Sequence, residues 1–401
     1  KLSQLKTHVV MFTNRRNCTF SKPLKVDGME IELKTSTKFL GITLDSKLSW
    51  NEHIVAVCKK SKNILMQCRR AVGPTWGFKP KTMRWIYEVM VRPILSYGAT
   101  IWINGTHKKH NQQLLMGVQR LANVLSTGAM PSTPSAALNV ITGFPPITMW
   151  LSEAAAKETL RLKCHGHWEF PPPGNPSVRL KSHICTNEKT IKALPRDIVS
   201  TELDLITPSL SIDQHFTVDI PDRSSYSELA GEDFDVVCYT DGSRMNDHTG
   251  AGMMICGGPQ LVHLDHREAF YLGKHSTVFQ AEVFAVGKAA DHLLGNKLRE
   301  RKILINCDSK SAIQSIDSTV IRNRTSLTAT TTLNSLGINN EVTLRWIPAH
   351  SGYEGNEIAD QLAKAGSSND NNSATCVLLP VPRSICYAAL KSKTKEDWKI
   401  S

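Results

Sequence analysis

A chain of 401 residues, 41% of them hydrophobic, is long enough for two or three domains with cores of their own. No apolar run approaches the ~20 residues of a membrane-spanning helix, and no basic-then-apolar segment opens the chain, so neither a membrane protein nor a secreted one is expected. The net charge of +12 is unevenly spread, with 21 Lys/Arg against 6 Asp/Glu in residues 1–150, a local balance of +15, and −3 in the remainder. That asymmetry points to a module gripping a polyanionic backbone, joined to one that can hold cations. The ten cysteines form no Cys-x-x-Cys pair and no framework, which fits reduced intracellular thiols. Cys164, His165, His167, His183 and Cys185 cluster, but without four ligands at zinc-site spacing. The chain opens on Lys1, inside what reads as a strand, as a fragment of a longer product would.

The first ~50 residues alternate as strands: Val9, Val10 and Phe12, then Val26 to Met29 around an Asp27-Gly28 turn, then Lys38 to Ile42. Ser49 and Glu52 have capping-box spacing. They open a helix with Ile54, Val57, Ile64 and Cys68 near one face and a mostly solvated basic face. Further helices are expected through Met83 to Val91, ending near Pro93, and through Leu114 to Val124. From Phe170 the run Pro171-Pro172-Pro173-Gly174-Asn175-Pro176 is extended, and up to about Glu232 there is little periodicity.

Beyond that linker the pattern alternates. Strands are expected at 236–239, 251–256 and 268–272, followed by a helix from Thr277 to Leu294 with Gln280 at the capping-box position. A strand at 303–305, a short helix from Ser309 and a helix at 327–336 come next. A strand at 342–347 and a last helix at 354–365 complete a mixed sheet with helices on its faces. Ser367 to Ser373 reads as a flexible connector, and only a short Lys-rich helix follows, from about 388 to 395 and at most on to Trp398.

Four acids stand where strand ends and helix starts converge in such a sheet: Asp241, Glu282, Asp308 and Asp360. Two like charges about 4 Å apart repel by roughly 4 kcal/mol at an effective dielectric near 20, a cost that divalent cations remove. Taken singly, each residue has a plain reading as a turn, a helix-start charge, a cap or a surface acid. His350 lies in a Gly/Ser loop and titrates near neutrality, as a proton carrier must.

The strings Tyr239-Thr240-Asp241-Gly242-Ser243, Gln280-Ala281-Glu282, Cys307-Asp308-Ser309 and Trp346-Ile347-Pro348-Ala349-His350-Ser351-Gly352, then Gly355 to Asp360, resemble type I ribonuclease H. The resemblance implies a ribonuclease H-like α/β fold with a mixed five-stranded sheet flanked by helices. It implies that Asp241, Glu282, Asp308 and Asp360 bind two Mg²⁺ ions, with Mn²⁺ an alternative, and that His350 assists proton transfer or product release. Gly242, Ser243 and Asn356 are the expected substrate contacts, and an RNA–DNA hybrid is the expected substrate. Ala349 departs from the glycine frequent there in the family, but it is not a metal ligand.

Thr37 to Trp50 resembles the region just after the polymerase palm of non-LTR, LINE-type retrotransposon reverse transcriptases, and Arg92 to Trp102 resembles their thumb. Together with the nuclease motifs, this matches the Jockey/I type of element. The implied organisation is the end of a palm at 1–50, a helical thumb or connection at 51–165, a Pro-rich linker at 166–230, the nuclease at 231–366 and a flexible tail at 367–401. The chain contains no Asp-Asp pair, so no polymerase activity is expected of it. The basic front half is expected to bind the element's RNA, in a nuclear or cytoplasmic ribonucleoprotein. The competing reading is an inactive or domesticated remnant that binds nucleic acid without cutting it.

Overall fold

The computed structural model describes residues 7–13, 24–26, 28–71, 73, 76–165, 190–192, 194, 198, 202–221, 234–349, 352–368 and 374–400. The chain divides into two units, one of Lys1–Leu160, Phe170–Leu194 and Ala389–Ser401, the other of Arg161–Glu169 and Pro195–Ala388. His167, His183 and Cys185 of the Cys/His cluster lie outside the described residues, as does the Pro171–176 run.

The first unit opens with short strands β1 (Val9–Val10), β2 (Lys25–Val26), β3 (Met29–Glu30), β4 (Leu33–Lys34), β5 (Ser36–Phe39) and β6 (Ile42–Asp45). The single strand expected over Lys38 to Ile42 is instead a hairpin. Phe39 pairs with Ile42, and Leu40 (φ 44°) and Gly41 (φ 86°) make the two-residue turn that positive φ allows. Tyr97 Oη donates to the Leu40 carbonyl at 2.9 Å and braces that strained leucine.

Helix α1 (Asn51–Arg69) lacks the expected Ser49–Glu52 box, because its N-cap is Trp50 in the left-handed region. The Asp45 carboxylate accepts the Ser49 and Trp50 N–H groups at 2.9 and 2.8 Å in its place. The buried face of α1 runs through Ile54, Cys58 and Leu65, with Val57, Ile64 and Cys68 at its margin.

Helices α2 (Pro80–Ile86), α3 (Arg92–Ser96), α4 (Ala99–Trp102), α5 (Lys109–Thr127), α6 (Ser135–Thr142) and α7 (Ile147–Cys164) follow. The helix does not stop near Pro93. A π turn over Tyr87–Val91 carries it into α3, where the missing proline N–H falls harmlessly in a first turn. Ile54, Leu65, Tyr87, Trp102, Leu115 and Leu151 are among this unit's fully buried core.

The second unit holds β7 (Leu205–Leu210), β8 (Thr217–Asp219), β9 (Val236–Met245), β10 (His248–Gly257), β11 (His266–Gly273), α8 (Val278–Gly295), β12 (Lys302–Cys307), α9 (Lys310–Ile316) and β13 (Val320–Asn323). It continues through α10 (Arg324–Gly337), β14 (Glu341–Trp346), α11 (Glu354–Ser367), β15 (Thr375–Cys376) and the first residues of α12 (Arg383–Ile400), whose part from Ala389 on belongs to the first unit. The mixed sheet with flanking helices is as expected, but it has seven strands in the order β15-β11-β10-β9-β12-β14-β8. The five expected strands form its middle. The added edges, β8 parallel to β14 and β15 parallel to β11, are too short to show periodicity.

These edges change the reading of the flanks. Part of the expected linker is strand, with β7 paired to β13, and part of the expected flexible tail is β15 and the 18-residue helix α12. Val377 and Leu379 pack against the unit's core. The core lies between sheet residues such as Val236, Cys238, Ile303, Ile305 and Leu344 and the small-residue face of α8, Ala281, Ala285 and Ala289. Both halves of the Thr277–Gln280 capping box are present at the start of α8.

Candidate active site

The register of two parallel strands places the first two acids. β12 runs beside β9 with Asn306 opposite Tyr239 and Cys307 opposite Thr240. Asp241 and Asp308 each follow the last pair, so both stand where this parallel pairing stops, although β9 does not end at Asp241 as expected but runs on beside β10 to Met245. The Thr240 hydroxyl donates to the Asn306 carbonyl at 3.0 Å, and Trp346 Nε1 donates to the Asp308 carbonyl at 2.8 Å.

Glu282 arrives from α8. A Cβ on Gly242 would stand 2.8 Å from the Glu282 nitrogen, so only glycine lets the first turn of α8 close on β9. The Gly242 N–H then serves the carboxylates of both Asp241 and Glu282.

Asp360 arrives on α11. Side chains at Gly250 or Gly252 of β10 would strike the α11 backbone, at Ser367 and at Ala359 and Ala363 respectively. Their absence lets the helix lie directly on the strands. Asp360 lies close enough to Asp241 for its charge to help hold the Asp241 carboxyl up, and Lys364 Nζ donates to Asp360 Oδ2 at 2.6 Å.

One oxygen from each of Asp241, Glu282 and Asp308 lies within 4.8 Å of the others, while Asp360 stands outside that triad. Burial pushes the Asp241 carboxyl up to about 7, helped by the charge of Asp308 and by Asp360. Burial and then the charges of Asp241 and Asp308 push Glu282 well above the carboxylate range. The fully buried Cys307 thiol partly offsets this by donating to Glu282 Oε2 at 3.8 Å. This donor set, hard oxygens crowded enough to resist joint ionisation, fits divalent cations such as Mg²⁺ or Mn²⁺.

The structure thus brings Asp241, Glu282 and Asp308 together, with Asp360 near Asp241 but outside the triad. His350 and Ser351 lie outside the described residues. Of the expected substrate contacts, Ser243 is half-buried, the Gly242 N–H is engaged by the carboxylates, and Asn356 is buried in the first turn of α11. Sequence reasoning missed Lys364, although it stands four residues after Asp360 on one helix face, and Gly250-x-Gly252, whose strand spacing signals close backbone approach.

The family described as RNase H matches residues 233–368. The chain is similar to the putative 115 kDa protein in type-1 retrotransposable element R1DM of Drosophila melanogaster, 25% identical over 134 residues that make up 33% of this chain and 13% of that protein. It is 27% identical over 122 residues to the probable RNA-directed DNA polymerase from transposon BS of the same fly, covering 30% of this chain and 13% of that one. It is also 23% identical over 155 residues to the retrovirus-related Pol polyprotein from type-1 retrotransposable element R1 of Bradysia coprophila, covering 39% of this chain and 15% of that protein. The chain therefore matches only a small part of these relatives' length. Among solved structures it is similar to RNase H1 from the halophilic archaeon Halobacterium salinarum NRC-1, with TM-score 0.27, 19% identity and coverage of 33% of this chain and 96% of that one. Residues 233–368 are a ribonuclease H domain, in a chain related to R1-type non-LTR retrotransposon polyproteins.

Proposed function

We propose that this chain hydrolyses the RNA strand of RNA–DNA hybrids with two divalent cations held by Asp241, Glu282, Asp308 and Asp360. The observation that carries the reading is the convergence of Asp241, Glu282 and Asp308 to within 4.8 Å at the strand ends of a ribonuclease H domain. Bound Mg²⁺ or Mn²⁺ supplies an activated water and offsets charge on the leaving oxygen. The chain's own part is to hold four acids in register, to keep Glu282 out of water, and to anchor Asp360 through Lys364. His350 carries a proton or eases product release, a role its family motif implies and its side-chain chemistry permits. Ser243, two residues beyond Asp241 and partly exposed, is the contact best placed for the 2′-hydroxyl face that distinguishes RNA from DNA.

In this reading the domain serves a retrotransposon reverse transcriptase whose polymerase acids lie elsewhere, and the basic front half holds the element's RNA. The excess of +15 over residues 1–150 predicts binding that weakens steeply with salt. No helix among the described residues is long and apolar enough to cross a membrane. The reading places the protein in a nuclear or cytoplasmic ribonucleoprotein.

The test is incubation with labelled RNA–DNA hybrid and Mg²⁺ or Mn²⁺. The RNA strand is cut by the natural protein, and Asp308→Asn reduces the rate about 10²–10³-fold, the scale of losing one electrostatic stabiliser. Binding without cleavage in either metal is the signature of a remnant and rejects the nuclease.

A further inference from the structure

The family match spans residues 233–368, yet a buried polar junction at the start of α8 is tied to residues outside it. Asp204 is 4% exposed. Its Oδ1 accepts the Thr325 N–H and the Thr325 hydroxyl, both at 2.8 Å, and its Oδ2 accepts Gln280 Nε2 at 2.9 Å. Gln280 Nε2 also donates to the Pro380 carbonyl at 2.9 Å, while Gln280 Oε1 accepts the Thr277 N–H at 3.1 Å, the return half of the capping box. The Asp204 backbone is fixed as well. Its N–H donates to the Val381 carbonyl at 2.9 Å, and its carbonyl accepts the Arg324 N–H at 3.0 Å. One carboxylate therefore ties together the first turns of α8 and α10, the segment before β7 and the segment after β15.

Glu282 stands two residues beyond Gln280 in the same helical turn. Gly242 meets that turn at the Glu282 nitrogen, and the Asp204 network holds it through Gln280. Thr277 takes the Gln280 N–H with its hydroxyl and the Ala281 N–H with its carbonyl, so the turn is well formed and its placement is set by what packs on it. Here it is held by β9, which carries Asp241, and by Asp204.

We propose that Asp204, acting through Gln280, is a positioning residue that sets where Glu282 stands relative to Asp241 and Asp308, so that the working nuclease includes residues 202–204 and 380–381 on either side of the family match. The inference rests on the reading of Glu282 as a metal ligand. It makes a sharp chemical demand. Asn at 204 keeps an acceptor for Thr325 but turns an amide N–H against the Gln280 amide. Glu at 280 then restores the bond to position 204 and still accepts the Thr277 N–H, but it gives up the bond to the Pro380 carbonyl and sets an oxygen against it.

The experiment uses the full chain with Asp204→Asn, Gln280→Leu and the double variant Asp204→Asn/Gln280→Glu. Mn²⁺ binding is measured by titration calorimetry without hybrid, and hydrogen exchange is followed at the amides of residues 278–282. Each single variant is expected to weaken Mn²⁺ binding about tenfold, the lower end for loss of a group that orients a ligand, and to speed that exchange. The double variant is expected to recover part of each, because the bond to the Pro380 carbonyl stays lost. A folded single variant with natural affinity and natural exchange overturns the inference. If Asp204→Asn does not fold, Gln280→Leu decides it. If the natural protein binds no Mn²⁺, the metal reading fails separately, and exchange at 278–282 still decides the positioning role.

Discussion

Two buried acidic centres share the nuclease unit and are built in opposite ways. Asp204 looks onto donors, the Thr325 amide and hydroxyl and the Gln280 amide. Asp241 and Glu282 look onto other carboxylates. Burial raises the carboxyl pKa in both places. At Asp204 the hydrogen bonds pull it back, whereas at the cluster neighbouring charge drives it further up. The carboxylate that organises the chain is satisfied by the chain. In the proposed reading, the carboxylates that act on a substrate are left to be completed by cations.

The most drastic way to break the contrast is Asp241→Asn. Cleavage should fall about 10²–10³-fold, while the metal-free protein gains on the order of 1–2 kcal/mol at pH 8 because a repulsion is removed. Parallel cleavage assays and thermal melts check this, and a destabilised metal-free variant would falsify it. Asp204→Ala should do the reverse to the fold, losing about 2–4 kcal/mol, because it strands buried donors on Thr325 and Gln280. Chemical denaturation of the two variants side by side gives the sign of each.

Titration sharpens the comparison further. A carboxyl held up at about 7 in the fold, as Asp241 is, contributes stability that is complete below the ordinary carboxylate range and is lost as pH rises through about 7. Melting of the metal-free protein should therefore fall between pH 5 and pH 8. Saturating Mg²⁺ should remove the part owed to the cluster and leave the smaller slope owed to Asp204, whose carboxyl is raised in the same direction. A slope indifferent to Mg²⁺ would contradict the division. The smallest effect is expected from Thr277→Ala, which opens the capping box at about 1 kcal/mol, read as a modest drop in melting temperature.

The same contrast explains what the sequence made legible. The four acids announce themselves because each sits in a local string on a periodic element, and the register of Cys307 with Thr240 brings two of those separate strings together. The capping box of α8 is likewise local. Asp204 gives no such signal. It lies in a stretch without periodicity, and its partners are 76 and 121 residues away. The edge strands β8 and β15, of three and two residues, are too short to alternate visibly. At Ser49 and Glu52 a correct local motif lost to a competitor, the Asp45 carboxylate that took the Ser49 N–H which Glu52 would have accepted.

The parallel alignment of β9 and β12 also bears on when activity can appear. The cross-strand bond from Thr240 to Asn306 joins residues 66 apart, and the acid on α11 is contributed later still. Pairings of that separation form slowly and late. During synthesis the first acid emerges well before its companions, so a nascent chain carries no assembled centre until α11 has been made and has settled onto Gly250 and Gly252. In the proposed reading, degradation of RNA is in that way deferred until nearly the whole domain has been translated.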